Sequence, residues 1–239
     1  MPLPKIEHPI FEVYLKSLDK NVRYRPFLVK EEKLLLMAKE SEDLQDILKT
    51  IKQIISNCCV DDIDVESLPI FDVEMFFIHL RINSIGETSD LMYTCTNVVN
   101  EEPCNHVVEF ALDLKNIKYR FNESHNKIIA LTKDIGVCMK YPSLTLPQSL
   151  LEDKFQDGGY EIISEYLDYI YDENQTYKKE DISKEELSAF FDDLSMEQVK
   201  AIKIFFSSAP SVVLEQDITC PKCNGNHNVV LEGILNFFE

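Results

Sequence analysis

The chain contains only six glycines in 239 residues. None of them forms a phosphate-cradling loop, and GxSxG, HExxH and Walker-type patterns are also missing. No carboxylate pair is singled out by spacing, so no catalytic machinery is legible. No apolar run approaches the ~20 residues needed to span a bilayer. The opening stretch, Met1-Pro2-Leu3-Pro4-Lys5-Ile6-Glu7-His8-Pro9, lacks the apolar core of a secretory signal. A cytoplasmic location is therefore expected, without a membrane partner. Positive charge is scarce too: 24 Lys and Arg stand against 42 Asp and Glu, a formal net charge of -18. Nucleic-acid binders need cations to displace phosphate counterions, so DNA and RNA are excluded as main ligands. An acidic field instead favours solubility and attraction to basic protein surfaces.

Hydrophobic residues make up 45% of the chain. That is enough for one substantial core, or a core with a small satellite module. Phe11, Val13 and Leu15 alternate with polar neighbours, Ser17 to Asn21 supply a turn, and Val22 and Tyr24 alternate again. This predicts a β-hairpin closed by Pro26. Glu31 to Lys39 is rich in helix formers. Leu44, Ile47, Leu48, Ile51, Ile54, Ile55 and Cys58 recur at three-and-four spacing, the strongest helical stripe present. A third helix is expected from an N-cap at Asp72 to a stop before Gly86, burying Val73, Phe76, Phe77 and Leu80, with His79 at its core boundary.

The middle switches to strand patterning at Val108, Phe110, Leu112 and Leu114, with shorter strands at 128–131 and 137–141 and a loop marked by Leu146-Pro147. Ile163, Tyr166, Leu167 and Ile170 suit one helix face. Two capping boxes follow, Ser183 with Glu186 and Ser195 with Gln198, each ahead of an apolar stripe. From Val212 strand patterning returns. The fold class expected is α+β: an N-terminal hairpin, two helical groups and a small β module. The organisation expected is 1–88 (hairpin and helices), 89–145 (β), 146–211 (helical) and 212–239 (β, packing with 89–145).

Seven cysteines are present, and in a reducing compartment they read as metal ligands or redox groups before disulfides. Cys220-Pro221-Lys222-Cys223 is a CxxC whose thiolates can take two corners of a zinc tetrahedron. Cys95 and Cys104 are the candidates for the other two. Cys104-Asn105-His106-Val107-Val108 echoes Cys223-Asn224-Gly225-Asn226-His227-Asn228-Val229-Val230. Two such cysteine-tipped strand pairs facing each other would make a zinc ribbon holding structural Zn2+, with His106 and His227 as reserve ligands. Redox chemistry of the thioredoxin kind needs CxxC at a helix start, and here strand patterning follows. Asp61-Asp62-Ile63-Asp64-Val65-Glu66 lacks the glycine of a calcium loop and reads as a solvated interhelical turn. Cys58, Cys59 and Cys138 read as small hydrophobes. A tyrosine-rich acidic stretch containing Tyr166 and Tyr169, and the terminal Phe237 and Phe238, are candidate contacts for a protein partner.

Several words of the sequence are familiar. Lys5-Ile6, the run Val22-Arg23-Tyr24-Arg25-Pro26-Phe27-Leu28-Val29-Lys30-Glu31-Glu32-Lys33 and Leu35-Leu36-Met37-Ala38 resemble baseplate hub assembly proteins of T-even-like contractile-tailed bacteriophages. So do Leu68-Pro69-Ile70-Phe71-Asp72-Val73-Glu74, Leu80-Arg81-Ile82-Asn83-Ser84-Ile85-Gly86-Glu87 and Met139-Lys140-Tyr141-Pro142. The resemblance implies a non-enzymatic role in forming the central hub, by a hub component or a chaperone-like factor that leaves. It implies hub or tape-measure proteins as partners, and action in the host cytoplasm or the virion baseplate. It also implies a tight CxxC where this chain spaces Cys95 and Cys104 more widely. The rival reading is a zinc-ribbon regulatory or adaptor module, which needs a basic face beside the cysteines. Lys222 is almost alone there.

Overall fold

The computed structural model describes residues 6–41, 43–143 and 163–233. They fall into two compact units: residues up to 120 together with those from 211 onward, and residues 121–210. The first unit is thus discontinuous in sequence.

The first unit opens with the expected hairpin, β1 (Phe11–Leu15) and β2 (Lys20–Tyr24), paired antiparallel with Val13 opposite Val22. Val13, Leu15, Val22 and Tyr24 are all buried, as period-two patterning requires. Helix α1 (Val29–Ser41) follows, then α2 (Leu44–Cys58), whose N-cap Asp43 accepts from the amides of Gln45 and Asp46. The α2 stripe of Ile47, Leu48, Ile51, Ile54, Ile55 and Cys58 is buried. Each of the larger side chains contributes about 1.5–3 kcal/mol on full burial. Past α2 the chain lies beside β2, where the Val60 amide donates to the Arg23 carbonyl. Asp61 grips the Arg23 guanidinium at 2.7 Å, so that acidic turn is spent on an ion pair.

Helix α3 (Ile70–Ser84) is buried on nearly every side, which fits a helix that is apolar all round. It packs against α2 and β1. Its start corrects one expectation. Asp72 is not the N-cap; Pro69 holds that place, and Asp72 lies within the first turn, fully buried. Its carboxylate accepts from the amides of Lys16 (3.0 Å) and Ser17 (2.9 Å) in the hairpin turn and from the Tyr119 hydroxyl (2.6 Å). Tertiary donors have claimed a carboxylate that sequence assigned to its own helix. His79 is partly buried on α3, and desolvation lowers its pKa.

Two antiparallel hairpins complete this unit. β3 (Thr88–Thr94) pairs with β6 (Val107–Asp113), and between them lies the small ribbon of β4 (Val98–Val99) and β5 (Glu102–Pro103). β7 (Lys118–Arg120) pairs with β12 (Ser211–Thr219), which also pairs with β13 (Asn226–Glu232). The β7–β12 ladder rejoins the unit across the intervening residues 121–210.

In the second unit, β8 (Ile128–Ala130), β9 (Gly136–Met139), β10 (Leu167–Tyr171) and β11 (Thr176–Lys178) form an antiparallel sheet in the order β11-β10-β9-β8. The helices are α4 (Lys184–Asp192) and α5 (Met196–Ser207), and both carry the capping boxes read from sequence. Val137, Met139, Leu167, Ile170, Leu187, Phe191, Ile202 and Phe205 share one core. The helix expected through Ile163, Tyr166, Leu167 and Ile170 is instead mostly strand. A register shift between Leu167 and Tyr169 inserts an extra residue, so Leu167 and Ile170 both face the core. A bulge of this kind turns the two-residue period into a three-residue step that mimics a helix face. His125 stacks on Tyr141 and Phe205, with its ring nitrogens 2.9 Å from Ser208 Oγ and 3.1 Å from Tyr141 Oη.

Candidate metal centre

The β3–β6 and β12–β13 hairpins of the first unit each end at cysteines. Cys95 follows β3 and Cys104 precedes β6; Cys220 follows β12 and Cys223 precedes β13. Strand ends dictate this placement, because a thiol at the tip of a hairpin points past the ladder. The Cys95 amide donates to the His106 carbonyl at 2.8 Å, and the Cys220 amide to the Gly225 carbonyl at 2.9 Å. Asn105 and Asn224, each directly after the second cysteine of its pair, have φ values of 48° and 56°. Asparagine tolerates this left-handed geometry better than most residues. The sequence echo between the two segments is therefore also a backbone echo.

The four sulfurs of Cys95, Cys104, Cys220 and Cys223 all lie within 4.8 Å of one another. Cys95 and Cys223 are 3.6 Å apart, and Cys104 and Cys220 are 3.9 Å apart. A disulfide would need about 2.05 Å. Sulfurs bound at about 2.3 Å to a tetrahedral zinc stand about 3.8 Å from each other, so the donor set fits such an ion. The surrounding cluster is small: Cys95, Cys104 and Cys220 are buried with Val108 and Ile218, flanked by Tyr93, Phe110 and Val229. Three of those five buried side chains are thiols, which leaves little apolar area to hold the hairpins together.

Outer groups surround the sulfurs. A backbone hydrogen bond from Gly225 holds the Cys223 thiol down to about 7. Burial pushes the Cys95 thiol up to about 12. Asn97 Nδ2 lies 3.6 Å from Cys223 Sγ. His227 Nε2 lies 3.1 Å from Cys95 Sγ, and its Nδ1 is 3.4 Å from the Tyr93 hydroxyl. Of the two reserve ligands, His227 is therefore beside the sulfurs, whereas His106 offers the cluster only its backbone carbonyl. Asn97 and Tyr93 carried no sequence signal, since neither has metal-ligand spacing. Lys222 donates to the Cys104 carbonyl at 3.2 Å. Its charge is thereby turned into the hairpin tip.

The other candidate residues lie elsewhere. The Tyr166 ring packs edge-on against Phe206 at 5.7 Å, on the border of the second unit's core. Tyr169 sits in β10 opposite Cys138. Phe237 and Phe238 lie outside the described residues. Cys58 and Cys138 are buried, and burial pushes the Cys58 thiol up to about 11.

Comparison with known proteins adds an independent finding. A family model described as T4 bacteriophage base plate protein matches residues 8–239. The chain is 25% identical over 229 residues to the baseplate hub assembly protein gp26 of Enterobacteria phage T4, covering 96% of this chain and 97% of that protein. No solved structure matches the chain.

Proposed function

The chain belongs to the T4 bacteriophage base plate protein family, and from this membership we propose that it is a non-enzymatic assembly protein of the baseplate central hub. The observation that carries the reading is the end-to-end correspondence with a hub assembly protein, 96% of one chain against 97% of the other. The acidic charge of -18 supports capture of basic surfaces on hub or tape-measure proteins. No helix among the described residues is long and apolar enough to cross a membrane. The chain acts in the host cytoplasm while the hub is built.

The four thiolates hold a structural zinc ion. Their spacing supports this, and the small cluster beneath them has need of it. Zinc supplies no chemistry here beyond tying two hairpins into one unit.

Deleting the gene from the phage tests the assembly role. Tails should arrest before the hub is complete, and normal infectious tails would reject it. Quantitative mass spectrometry of purified virions then separates a resident subunit from a factor that departs.

A further inference from the structure

We propose that the segment between Cys95 and Cys104 is long because it carries Asn97 over the Cys223 sulfur, making Asn97 an outer donor that strengthens the metal centre. This rests on the zinc reading above. A two-residue spacing lets a cysteine pair collect turn amides as donors to sulfur. In the tight pair here the intervening Lys222 does reach across, but to the Cys104 carbonyl rather than to a sulfur. Here the chain turns two residues after Cys95, and the Asn97 carbonyl accepts from the Cys104 amide at 2.7 Å. That bond fixes the Asn97 backbone at the base of the β4–β5 ribbon. Its side-chain amide then projects to Cys223 on the other hairpin, 3.6 Å from the sulfur.

Gly225 makes this reach possible. A Cβ at Gly225 would overlap the Asn97 amide group, so a side chain there would push Asn97 off the sulfur. The echo between the two cysteine segments breaks at this position: Gly225, whose carbonyl accepts from the Cys220 amide, stands where His106 accepts from the Cys95 amide, and His227 follows two residues later. The glycine and the long segment thus answer one geometric need.

His227 serves Cys95 in the same way. Its Nε2 is 3.1 Å from that sulfur, and the Tyr93 hydroxyl at Nδ1 orients the ring. The electrostatic reason is direct. A dication held by four thiolates carries a net charge of about -2, a burden in a chain already at -18. Neutral N–H donors spread that charge without bringing a cation into the cluster. Losing an outer partner of this kind typically costs about 10–100-fold in metal affinity.

The test is metal titration of the full chain with Zn2+ against a chromophoric chelator, and with Co2+ as a spectroscopic probe. Asn97→Asp keeps the shape and removes the donor; Asn97→Ala removes both. Each variant should still bind one metal per chain, with Zn2+ affinity lowered about 10–100-fold. Their Co2+ d–d bands should remain those of a tetrathiolate, while the sulfur-to-cobalt charge-transfer band shifts. Gly225→Ala should reproduce the loss, and His227→Gln should weaken binding while leaving the d–d bands unchanged. Wild-type affinity in both Asn97 variants would overturn the proposal. A changed d–d pattern in His227→Gln would make His227 a ligand and remove its donor role. A wild-type chain that binds neither metal would end the zinc reading itself, an outcome distinct from the other two.

Discussion

Cys95 and Cys223 stand 128 residues apart in the chain, and their sulfurs lie 3.6 Å apart in the fold. The residues of the second unit intervene between them in sequence. The first unit is therefore closed twice after that detour, by the β7–β12 ladder and by the sulfur cluster.

Metal removal should loosen the first unit selectively. The purified chain should carry one zinc per molecule, and chelation should lower its melting temperature. Loss of a ligand present at about 1,000 times its Kd removes about 4 kcal/mol. For a unit of this size that corresponds to roughly 8–16 °C. Hydrogen exchange should accelerate in β3, β6, β12 and β13 and stay unchanged in the sheet of β8 to β11. A uniform response across both units, or none, would contradict this.

Asp72 should be among the costliest polar residues to replace. Asp72→Ala removes the acceptor of the Ser17 amide and the shortest partner of the Lys16 amide and the Tyr119 hydroxyl, which keep longer contacts at 3.4 Å (Lys16 amide to Tyr119 hydroxyl) and 3.2 Å (Tyr119 hydroxyl to the Tyr14 carbonyl). The expected loss is about 2–3 kcal/mol in denaturant unfolding. Tyr119→Phe removes one donor and should cost about 1–2 kcal/mol. Equal effects of the two substitutions would show that the hairpin turn does not depend on this carboxylate.

Gly136 sits in β9 opposite Tyr171, and a Cβ there would overlap the Tyr171 ring and lie 2.6 Å from the Ile129 carbonyl oxygen. Backbone on one side and a ring on the other leave no cheap relief. Gly136→Ala should destabilise the second unit by about 1–3 kcal/mol, the usual cost of overpacking. Thermal unfolding followed by tyrosine fluorescence measures it, and a neutral result would show that the strands can part without cost.

Glu31 should make stability depend on acid. Burial alone would raise its carboxyl, but the Arg25 guanidinium at 3.0 Å and the Leu28 amide outweigh that and hold it below its ordinary value. A depressed carboxyl stabilises the fold fully above its unfolded value of about 4.3, and this is lost as pH falls through the lower folded value. The stability gap between the wild type and Glu31→Gln should therefore be largest near neutrality and shrink below about pH 4. A gap independent of pH would mean that the carboxylate charge contributes nothing.

Local signals were legible wherever one element decided its own structure. The hairpin of Val13 and Val22, the stripe of α2 and both capping boxes depend on neighbours within a few residues, and their spacing states them in full. The four cysteines stood out as the one constellation with specific chemistry, because hairpin-tip thiols have few other uses in an acidic chain with this spacing. Legibility stopped where a residue's partner was distant. Asp72 looked like a helix cap because nothing nearby showed that Tyr119 and the hairpin turn would claim it.

The sequence by itself thus determined the N-terminal hairpin, the α2 stripe, the two capping boxes, and which sulfurs were available. Tertiary structure alone decided that Leu167 and Ile170 share a face through a strand bulge. It alone decided that Asn97 lies beside the Cys223 sulfur, and that His227 rather than His106 stands beside Cys95. The physical reason is that periodicity records only which side chains avoid water. Which donor meets which acceptor is settled by contacts that close over a hundred residues or more.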